Sequence, residues 1–403
     1  MTASVAVAQE VSLRKRKPLC HFRQLPAGRA PELFHRRPQP FGDSDERELL
    51  AIALGATLYA PATRVDLAAT IRRRGARGVC SMVIDLEDAV ADHEVELAKA
   101  QAVAVLDELA GDPDPNPMLF VRVRDAATIT ELADALGPGA AVLTGFVFPK
   151  FDSRSGPSYF AALAAATHRL GRTVYAMPVL ESAALVHRQT RDIELGRIAE
   201  LLAAHREQVL AVRVGATDMC ATFGIRRDRD LTIYDVRVVA DVIADIVNYL
   251  GRADGSGFVI TGPVWEYFAD HERMFRPLLR TAPFEESDAV KFRQSLVSRD
   301  LDGLLREITL DRANGIHGKT VIHPSHVAAV HALSVVTHEE YSDAQDILRA
   351  DVGGVAASGY RNKMNEMRPH RSWARQTVLR ARVFGVANKG VSFVDLLTAL
   401  VTE

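Results

Sequence analysis

The feature that most constrains the fold of this 403-residue chain is an alternation of short apolar runs with longer amphipathic segments, which begins near Gly55. Alternating runs of this kind are typical of β-strand–α-helix units that build a parallel sheet. Eight such units fit a closed (β/α)8 TIM barrel, an α/β fold that typically takes ~250 residues. The predicted strands are Ala56–Pro61, Cys80–Leu86, Met118–Val123, Gly145–Pro149, Thr173–Pro178, Val209–Gly215, Gly257–Thr261 and Gly318–Ile322.

A doubly wound open sheet is the alternative arrangement of the same units. It would carry a glycine-rich phosphate-binding turn after an early strand, and no G-x-G-x-x-G segment occurs in the chain. The pattern therefore predicts an N-terminal arm over 1–50, a barrel over 51–336 and a helical C-terminal extension over 337–403. We expect the arm to pack its aromatic side chains on the barrel, with a lid over the active site as the alternative. The extension is too short for a core of its own, so it should dock on its own barrel or a neighbour's.

Charge, cysteine content and hydropathy exclude several classes of function. The net charge is −2, which gives no sign of a nucleic-acid or membrane-surface partner. No apolar run reaches the ~20 residues that a membrane span needs. At the N-terminus the apolar part precedes the basic part, the reverse of a secretory signal. The three cysteines are widely spaced and fit a reducing compartment. We therefore expect a cytoplasmic protein.

Acidic residues cluster where predicted strands end. The run VIDLEDAV leads from apolar residues into Asp85, Glu87 and Asp88, while Glu181 and Asp218 follow strands five and six. Such acids are costly to bury unless they bind a metal or pair with cations, and active sites of barrels lie at the carboxyl ends of the strands. Mg²⁺ prefers oxygen ligands and often takes only one or two protein carboxylates. Glu181 and Asp218 are therefore the predicted metal ligands.

Basic residues lie at the ends of other strands. Arg122 and Arg124 follow strand three, Lys150 follows strand four, and Lys319 lies in strand eight. Arginine suits bidentate binding of a carboxylate, and residues two apart in a strand share a face. Both arginines should therefore point inward, where one or both would reach the mouth of the barrel. The predicted substrate-binding residues are Arg122, Lys150, Gly215 and Thr217.

Several segments resemble the HpcH/HpaI aldolase and citrate lyase beta-subunit family, over roughly Gly55–Phe384. The chain differs from the family in the segment GATLYAPA and carries two further segments, HFRQLP and LFHRRPQPF. The last two, with the long tail, resemble an actinobacterial branch similar to C–C bond lyases found beside tellurium-resistance-type stress genes. The segments that carry the resemblance to the family are VIDLEDAV, FVRV, VFPK, VLES, VGATD and GIHGKTVIHPSHV.

The resemblance implies a TIM barrel that binds Mg²⁺ and carries out lyase or aldol-type chemistry on a small oxo acid or an acyl-CoA thioester. By position, Glu181 and Asp218 match the metal ligands. Arg122 matches the arginine that holds a substrate carboxylate, and Glu87 matches the acid near the metal. In strand one the relatives have an arginine before Leu-Phe-x-Pro-Gly. This chain has GATLYAPA there, which weakens the case for CoA or citrate itself.

The resemblance also concerns assembly. The family is commonly a trimer or hexamer, in which a C-terminal segment crosses to the next subunit and brings an acid to its site. The segment KMNEMRPH resembles that segment, and Glu366 is the nearest equivalent of its acid, with one extra residue after it. We therefore expect a homo-oligomer, with Glu366 as an acid or base in its own or a neighbouring site.

These observations predict a Mg²⁺-dependent carbon–carbon lyase that acts through a metal-stabilised enolate, with Glu87, Arg122 and Glu366 as its catalytic residues. Glu87 would order the water shell of the metal. One alternative on the same fold is thioester hydrolysis after a malyl-CoA-type condensation. Another is a non-catalytic barrel that serves as a scaffold in a stress-response assembly. The charged residues also have structural alternatives, in which Asp88 caps a helix or pairs with an arginine and Lys150 is a solvated loop lysine.

Overall fold

The computed structural model describes residues 18–26, 28–268, 299–350 and 353–401. Its centre is a closed barrel of eight parallel strands that pair in chain order, with the first strand also pairing with the eighth. The predicted TIM barrel is confirmed, and the ends of the strands differ from the predicted ends by no more than three residues. The barrel strands one to eight are Ala56–Pro61, Ser81–Asp85, Met118–Arg122, Leu143–Phe148, Tyr175–Leu180, Val212–Val214, Ile260–Gly262 and His317–Val321.

Helices follow the strands and cover the outside of the barrel. In the helix Arg237–Leu250, for example, Val239, Val242, Ile246 and Leu250 are buried. Apolar residues spaced three or four apart form one helical face, and that face packs on the sheet. The helices that follow strands one to eight are Leu67–Ala76, Val95–Leu109, Ala126–Ala135, Gly156–Leu170, Ala183–Val186 with Arg188–Ala204, Ala216–Ala221 with Arg237–Leu250, Arg299–Ala313 and Ser325–Ser334.

Side chains of the strands alternate between the helices and the barrel interior. In strand three, Leu119 and Val121 pack in the cluster between sheet and helices. Phe120 belongs instead to the cluster that fills the interior and the amino-terminal end of the barrel. Because alternate residues share a face, Arg122 points to the same side as Phe120. The sequence prediction for the direction of Arg122 is consistent with this arrangement.

The described part of the N-terminal arm packs at the amino-terminal end of the barrel. The Nε2 atom of His21 lies 2.9 Å from the carbonyl oxygen of Ala53, just before strand one. The His21 ring stacks on Phe384 at a centroid distance of 4.3 Å, and burial lowers the pKa of His21 to about 4. The aromatic side chains of the arm therefore close the end opposite the predicted active site. Residues 1–17 and 27 of the predicted arm lie outside the described residues.

The C-terminal extension contains helices and short strands. It packs against the arm, because the strand Phe34–Arg36 pairs with Val386–Ala387. A hairpin joins Val355–Ala357 to Met364–Glu366. The helices of the arm and the extension are Ala30–Leu33, Arg47–Ala53, His338–Arg349, Arg371–Phe384 and Phe393–Val401. The division of the chain into three regions remains a prediction. Within the described residues, no helix combines the length and apolar character that crossing a membrane requires.

Candidate active site

A cavity of about 300 Å³ opens at the carboxyl ends of the barrel strands. Its volume is at the lower end of the ~300–1,000 Å³ range of ligand pockets. The predicted site residues that line it are Arg122, Glu181, Gly215, Thr217 and Asp218. The other polar residues on its wall are Tyr59, Asp88, Arg213, Glu266 and Thr320.

Arg122 is held by acids on one side of the cavity. Its register partner in strand two is Asp85, a buried acid whose two oxygens accept hydrogen bonds of 2.6 Å from Nε and from Nη2. The third nitrogen, Nη1, lies 3.0 Å from Glu87 Oε2 and 3.1 Å from Asp88 Oδ2. Burial lowers the pKa of Arg122, but these acids outweigh it and raise the pKa overall. The guanidinium therefore belongs to a cluster of ion pairs, and Asp88 does pair with an arginine.

Lys150 stands beside the cavity and binds the same acids. Its ammonium group contacts Glu87 and lies 3.4 Å from Asp88 Oδ1 and 3.5 Å from Asp218 Oδ2. Although burial lowers the pKa of Lys150, Glu87 and the neighbouring acids raise it overall. Burial also raises the pKa of Glu87, helped by Asp88 and opposed by Lys150 and Arg122. Lys150 thus neutralises acids at the mouth.

The backbone of Lys150 has an unusual conformation that positions its N–H group toward Glu181. Its φ angle is +46°, in the left-handed region that non-glycine residues rarely adopt. In this conformation the backbone N–H donates a 2.8 Å hydrogen bond to Glu181 Oε1. Strain of this kind is typical of functional sites, where the surroundings impose it. The consequence here is a fixed orientation for the carboxylate of Glu181.

Glu181 and Asp218, the predicted metal ligands, share one wall of the cavity. Glu181 follows strand five and is only 8% exposed, while Asp218 lies in the helix Ala216–Ala221 after strand six. Burial raises the pKa of Glu181 to about 7; the Lys150 N–H opposes the rise and the charge of Asp218 adds to it. A Cβ atom on Gly215 would lie 1.8 Å from Glu181 Oε2. Glycine at this position therefore makes room for the carboxylate.

The two carboxylates fit a hard divalent cation. Each offers oxygen donors to the cavity, and a cation between them would offset both the burial of Glu181 and the charge of Asp218, which raise the pKa of Glu181. In the part of the chain that the structure describes, no group of three His, Cys, Asp or Glu side chains converges as a metal site. The donor set therefore suits Mg²⁺, which accepts two protein carboxylates with water as its remaining ligands.

Three residues that the sequence placed near the mouth lie elsewhere. Arg124 follows the end of strand three and turns away, because its side chain donates to the backbone carbonyls of the loop after strand two. Lys319 is fully buried outside the barrel, where it pairs with two acids of the helix Arg299–Ala313. The predictions that Arg124 and Lys319 point to the mouth are wrong. Glu366 is exposed in the hairpin of the C-terminal extension, and it is not on the wall of the cavity in its own chain.

Comparison with known proteins identifies the family of the chain. A model of the family described as C–C bond lyases of the TIM-barrel fold matches residues 48–386. The chain belongs to this family. Comparison of the chain with curated proteins found no match.

Solved structures share the fold of this member of the family. A citrate lyase from Burkholderia xenovorans LB400 matches with a TM-score of 0.58 at 15% identity, over 85% of this chain and 96% of that chain. CitE from Mycobacterium tuberculosis, in complex with magnesium, acetoacetate and coenzyme A, matches with a TM-score of 0.50 at 22% identity. That match covers 81% of this chain and 97% of that chain. At these identities the comparisons establish the fold.

Four polar residues at the mouth of the barrel were not predicted from the sequence. Tyr59, Arg213 and Thr320 belong to strands one, six and eight, whereas Glu266 follows strand seven. The Thr217 hydroxyl donates a 3.1 Å hydrogen bond to Glu266. Arg213 had a visible signal, since a charged residue interrupts the apolar run LAVRVG. Tyr59 and Thr320 had none, because a strand holds such residues equally well on either face.

Proposed function

We propose that this C–C bond lyase depends on Mg²⁺ and forms or breaks a bond next to the carbonyl of a small oxo acid or an acyl-CoA thioester. The observation that carries the proposal is the pair Glu181 and Asp218, which supplies two carboxylates to one cavity. The structure of CitE from M. tuberculosis contains magnesium with acetoacetate and coenzyme A, which supports a Mg²⁺ site that accepts either an oxo acid or an acyl-CoA thioester. A bare scaffold would have no need of two carboxylates on the wall of a cavity.

The acids and bases of the mouth have distinct proposed roles. Glu181 and Asp218 hold the metal, which when bound polarises an oxo group and stabilises negative charge that develops on its oxygen. Glu87 orders the water shell of the metal, since Lys150 and Arg122 fix its two oxygens.

Arg122 contacts the substrate through Nη1. That nitrogen contacts Glu87 and Asp88, and the Asp88 side chain is 57% exposed, with Lys150 as its other partner at 3.4 Å. A substrate carboxylate can therefore replace Asp88 on Nη1 while the bidentate contact with Asp85 stays in place. Lys150 and Thr217 complete the proposed substrate contacts, with the backbone of Gly215 between the metal ligands.

The size of the cavity favours a small acid as its occupant. At about 300 Å³, it accommodates a short oxo acid, and the bulk of a CoA thioester would extend beyond it. A neighbouring chain would have to supply Glu366, because this residue lies in an exposed hairpin of the extension and does not line the cavity of its own chain. The proposal therefore includes a homo-oligomer, a trimer or a hexamer, with Glu366 as an acid or base.

Calorimetric titration of the full chain with Mg²⁺ tests the metal assignment. Glu181→Ala and Asp218→Ala should each lower the Mg²⁺ affinity at least tenfold. Asp134→Ala should leave it unchanged, because Asp134 is an exposed acid paired with Arg169 on the surface. Unchanged Mg²⁺ binding in both cavity variants would refute the assignment.

Product analysis tests the reaction. Incubation with Mg²⁺ and a panel of oxo acids and acyl-CoA thioesters should yield two carbon fragments from one substrate, detected by mass spectrometry. Release of free CoA with no change in the carbon skeleton would instead identify a thioester hydrolase. Absence of turnover on every panel, together with tight capture of a protein partner, would favour the scaffold.

A further inference from the structure

Arg213 is a buried cation in the barrel interior. It lies in strand six, its exposed fraction is 1%, and it is one of the residues that line the cavity at the mouth. Its Nη2 donates to the Thr320 hydroxyl, and its Nη1 lies 3.8 Å from Met177 Sδ. Its guanidinium carbon is 5.6 Å from the centre of the Tyr59 ring. Each of these contacts is with an uncharged group.

Arg213 differs in this respect from its neighbour Arg122. The guanidinium of Arg122 also lies over the Tyr59 ring, at 5.3 Å, but three carboxylates surround it. In the described chain, no Asp or Glu oxygen lies within 4.0 Å of the Arg213 guanidinium, and the nearby charge of Arg122 has the same sign. The mouth therefore contains one arginine whose charge is balanced and one whose charge is not.

Packing alone does not account for Arg213. The interior of a barrel is normally filled by apolar branched side chains, and a methionine or leucine would occupy this position without a charge. A guanidinium buried without a counter-ion is unfavourable, because burial removes its hydration. Burial lowers the pKa of Arg213; Tyr59 opposes this effect and the charge of Arg122 adds to it, so the pKa is lowered overall. A charge kept at such a position, on the wall of a cavity, indicates that its counter-ion arrives with a ligand.

We propose that Arg213 binds a carboxylate of the substrate, and that this enzyme therefore takes an oxo acid with two carboxylates. The inference rests on the proposed function, in which the metal and Arg122 receive the oxo end of the substrate. Arg213 receives the second carboxylate, since its fork of N–H groups matches a carboxylate in shape and charge. Arg213 is thus a residue that determines specificity, and it discriminates between acids with one carboxylate and acids with two.

Binding measurements on the full chain test this proposal. With Mg²⁺ at saturation, calorimetry would compare oxaloacetate and 2-oxoglutarate, which have two carboxylates, with 2-oxobutyrate, which has one. We expect the wild type to bind the better dicarboxylic acid at least tenfold more tightly than 2-oxobutyrate. Arg213→Met should remove that preference, with the affinity for 2-oxobutyrate within twofold of the wild type. Arg213→Lys should retain part of it, since lysine keeps the charge without the fork.

Controls separate binding from folding. Arg124→Met is the matched control, because this arginine near the same rim faces the loop after strand two, and it should retain the wild-type preference. Circular dichroism melting would establish that each variant is folded. If Arg213→Met does not fold, Arg213→Gln takes its place, because glutamine can still donate to Thr320 and carries no charge. A folded Arg213 variant without charge that keeps the preference would overturn the proposal, as would a wild type without one.

These titrations, combined with product analysis of the same acids, distinguish failure of this inference from failure of the proposed function. A preference that depends on Arg213 but persists in EDTA, with no cleavage of any oxo acid, supports the anion site and refutes the lyase assignment. Mg²⁺-dependent cleavage with equal use of acids with one and two carboxylates refutes the role of Arg213 and leaves the lyase intact.

Discussion

Substitution of Gly215 by alanine is the sharpest test of the geometry around the predicted metal ligands. The φ angle of Gly215 is −97°, so alanine is allowed there and the effect is purely steric. The new Cβ would lie 1.8 Å from Glu181 Oε2, whereas ordinary contact begins at 3.4 Å. The carboxylate must therefore retreat by roughly 1.6 Å, which is comparable with a Mg²⁺–oxygen bond of ~2.1 Å.

The size of the expected effect follows from that displacement. Misplacing a group that orients a metal ligand typically costs about 10–100-fold in metal affinity, equivalent to about 1.4–2.8 kcal/mol. We therefore expect Gly215→Ala to weaken Mg²⁺ binding by that factor in calorimetric titration. The free energy of unfolding should also fall by about 1–3 kcal/mol, as for other overpacked sites.

Gly196→Ala provides the matched control. Gly196 lies in the helix Arg188–Ala204, where an added Cβ meets nothing within 4 Å. This variant should bind Mg²⁺ as the wild type does and gain up to about 1 kcal/mol of stability from higher helix propensity. If Gly215→Ala binds Mg²⁺ with wild-type affinity and melts at the wild-type temperature, then Glu181 is neither confined by Gly215 nor a metal ligand.

Two further predictions concern buried charges. Lys319→Met leaves Asp311 buried without its cation, while Glu307 keeps its buried ion pair with Arg227, so urea unfolding should show a loss of about 3–5 kcal/mol in the free energy of unfolding. In metal-free protein, burial raises the pKa of Glu181 from 4.5 to about 7. The native state therefore retains a proton that the unfolded chain releases, and this contribution to stability is full below pH 4.5 and is lost as the pH rises to about 7. At about 1.4 kcal/mol per pH unit, the loss is about 3 kcal/mol, and melting in EDTA from pH 4 to 8 should show it.

Each of these two predictions has its own control. Arg169→Met removes a pair whose side chains are both more than 60% exposed, so it should cost less than about 1 kcal/mol. If Lys319→Met lowers the free energy of unfolding by no more than that, the buried ion pairs of Lys319 do not stabilise the fold as argued. For the pH dependence, Glu181→Gln removes the titrating group. A gap between the melting temperatures of wild type and Glu181→Gln that stays constant from pH 4 to 8 would contradict the assigned pKa.

The architecture was predictable because the same strand–helix pattern recurs eight times in the sequence. A single apolar run is ambiguous, but eight runs with helical segments between them leave few folds that bury all of them. The same reasoning located the ends of the strands, and with them the positions of Glu181, Asp218 and Arg122, since parallel strands deliver their carboxyl ends to one rim. Local patterns therefore sufficed wherever the fold itself determines position.

The directions of charged side chains were not predictable in the same way. Arg124 follows Arg122 by two residues, but strand three ends at Arg122, so the alternation that would have turned Arg124 inward stops. Lys319 lies one position away from the inward-facing Thr320 and pairs with Glu307, an acid twelve residues earlier in the chain. Partners that lie far apart in sequence decide these orientations, and no local pattern specifies them.

The balance of charge at the mouth links the two proposals. The charges of Arg122 and Lys150 are balanced by Asp85 and Glu87 before any ligand binds. Among the described residues, the cation beside Glu181 and Asp218 is Lys150, which lies 3.5 Å from Asp218 and is shared with Glu87. Arg213, on the same cavity wall, has no anion among the described residues. The cavity thus requires a cation on one side and an anion on the other. A divalent metal with a dicarboxylic oxo acid supplies both, whereas either ligand alone would leave one buried charge unbalanced.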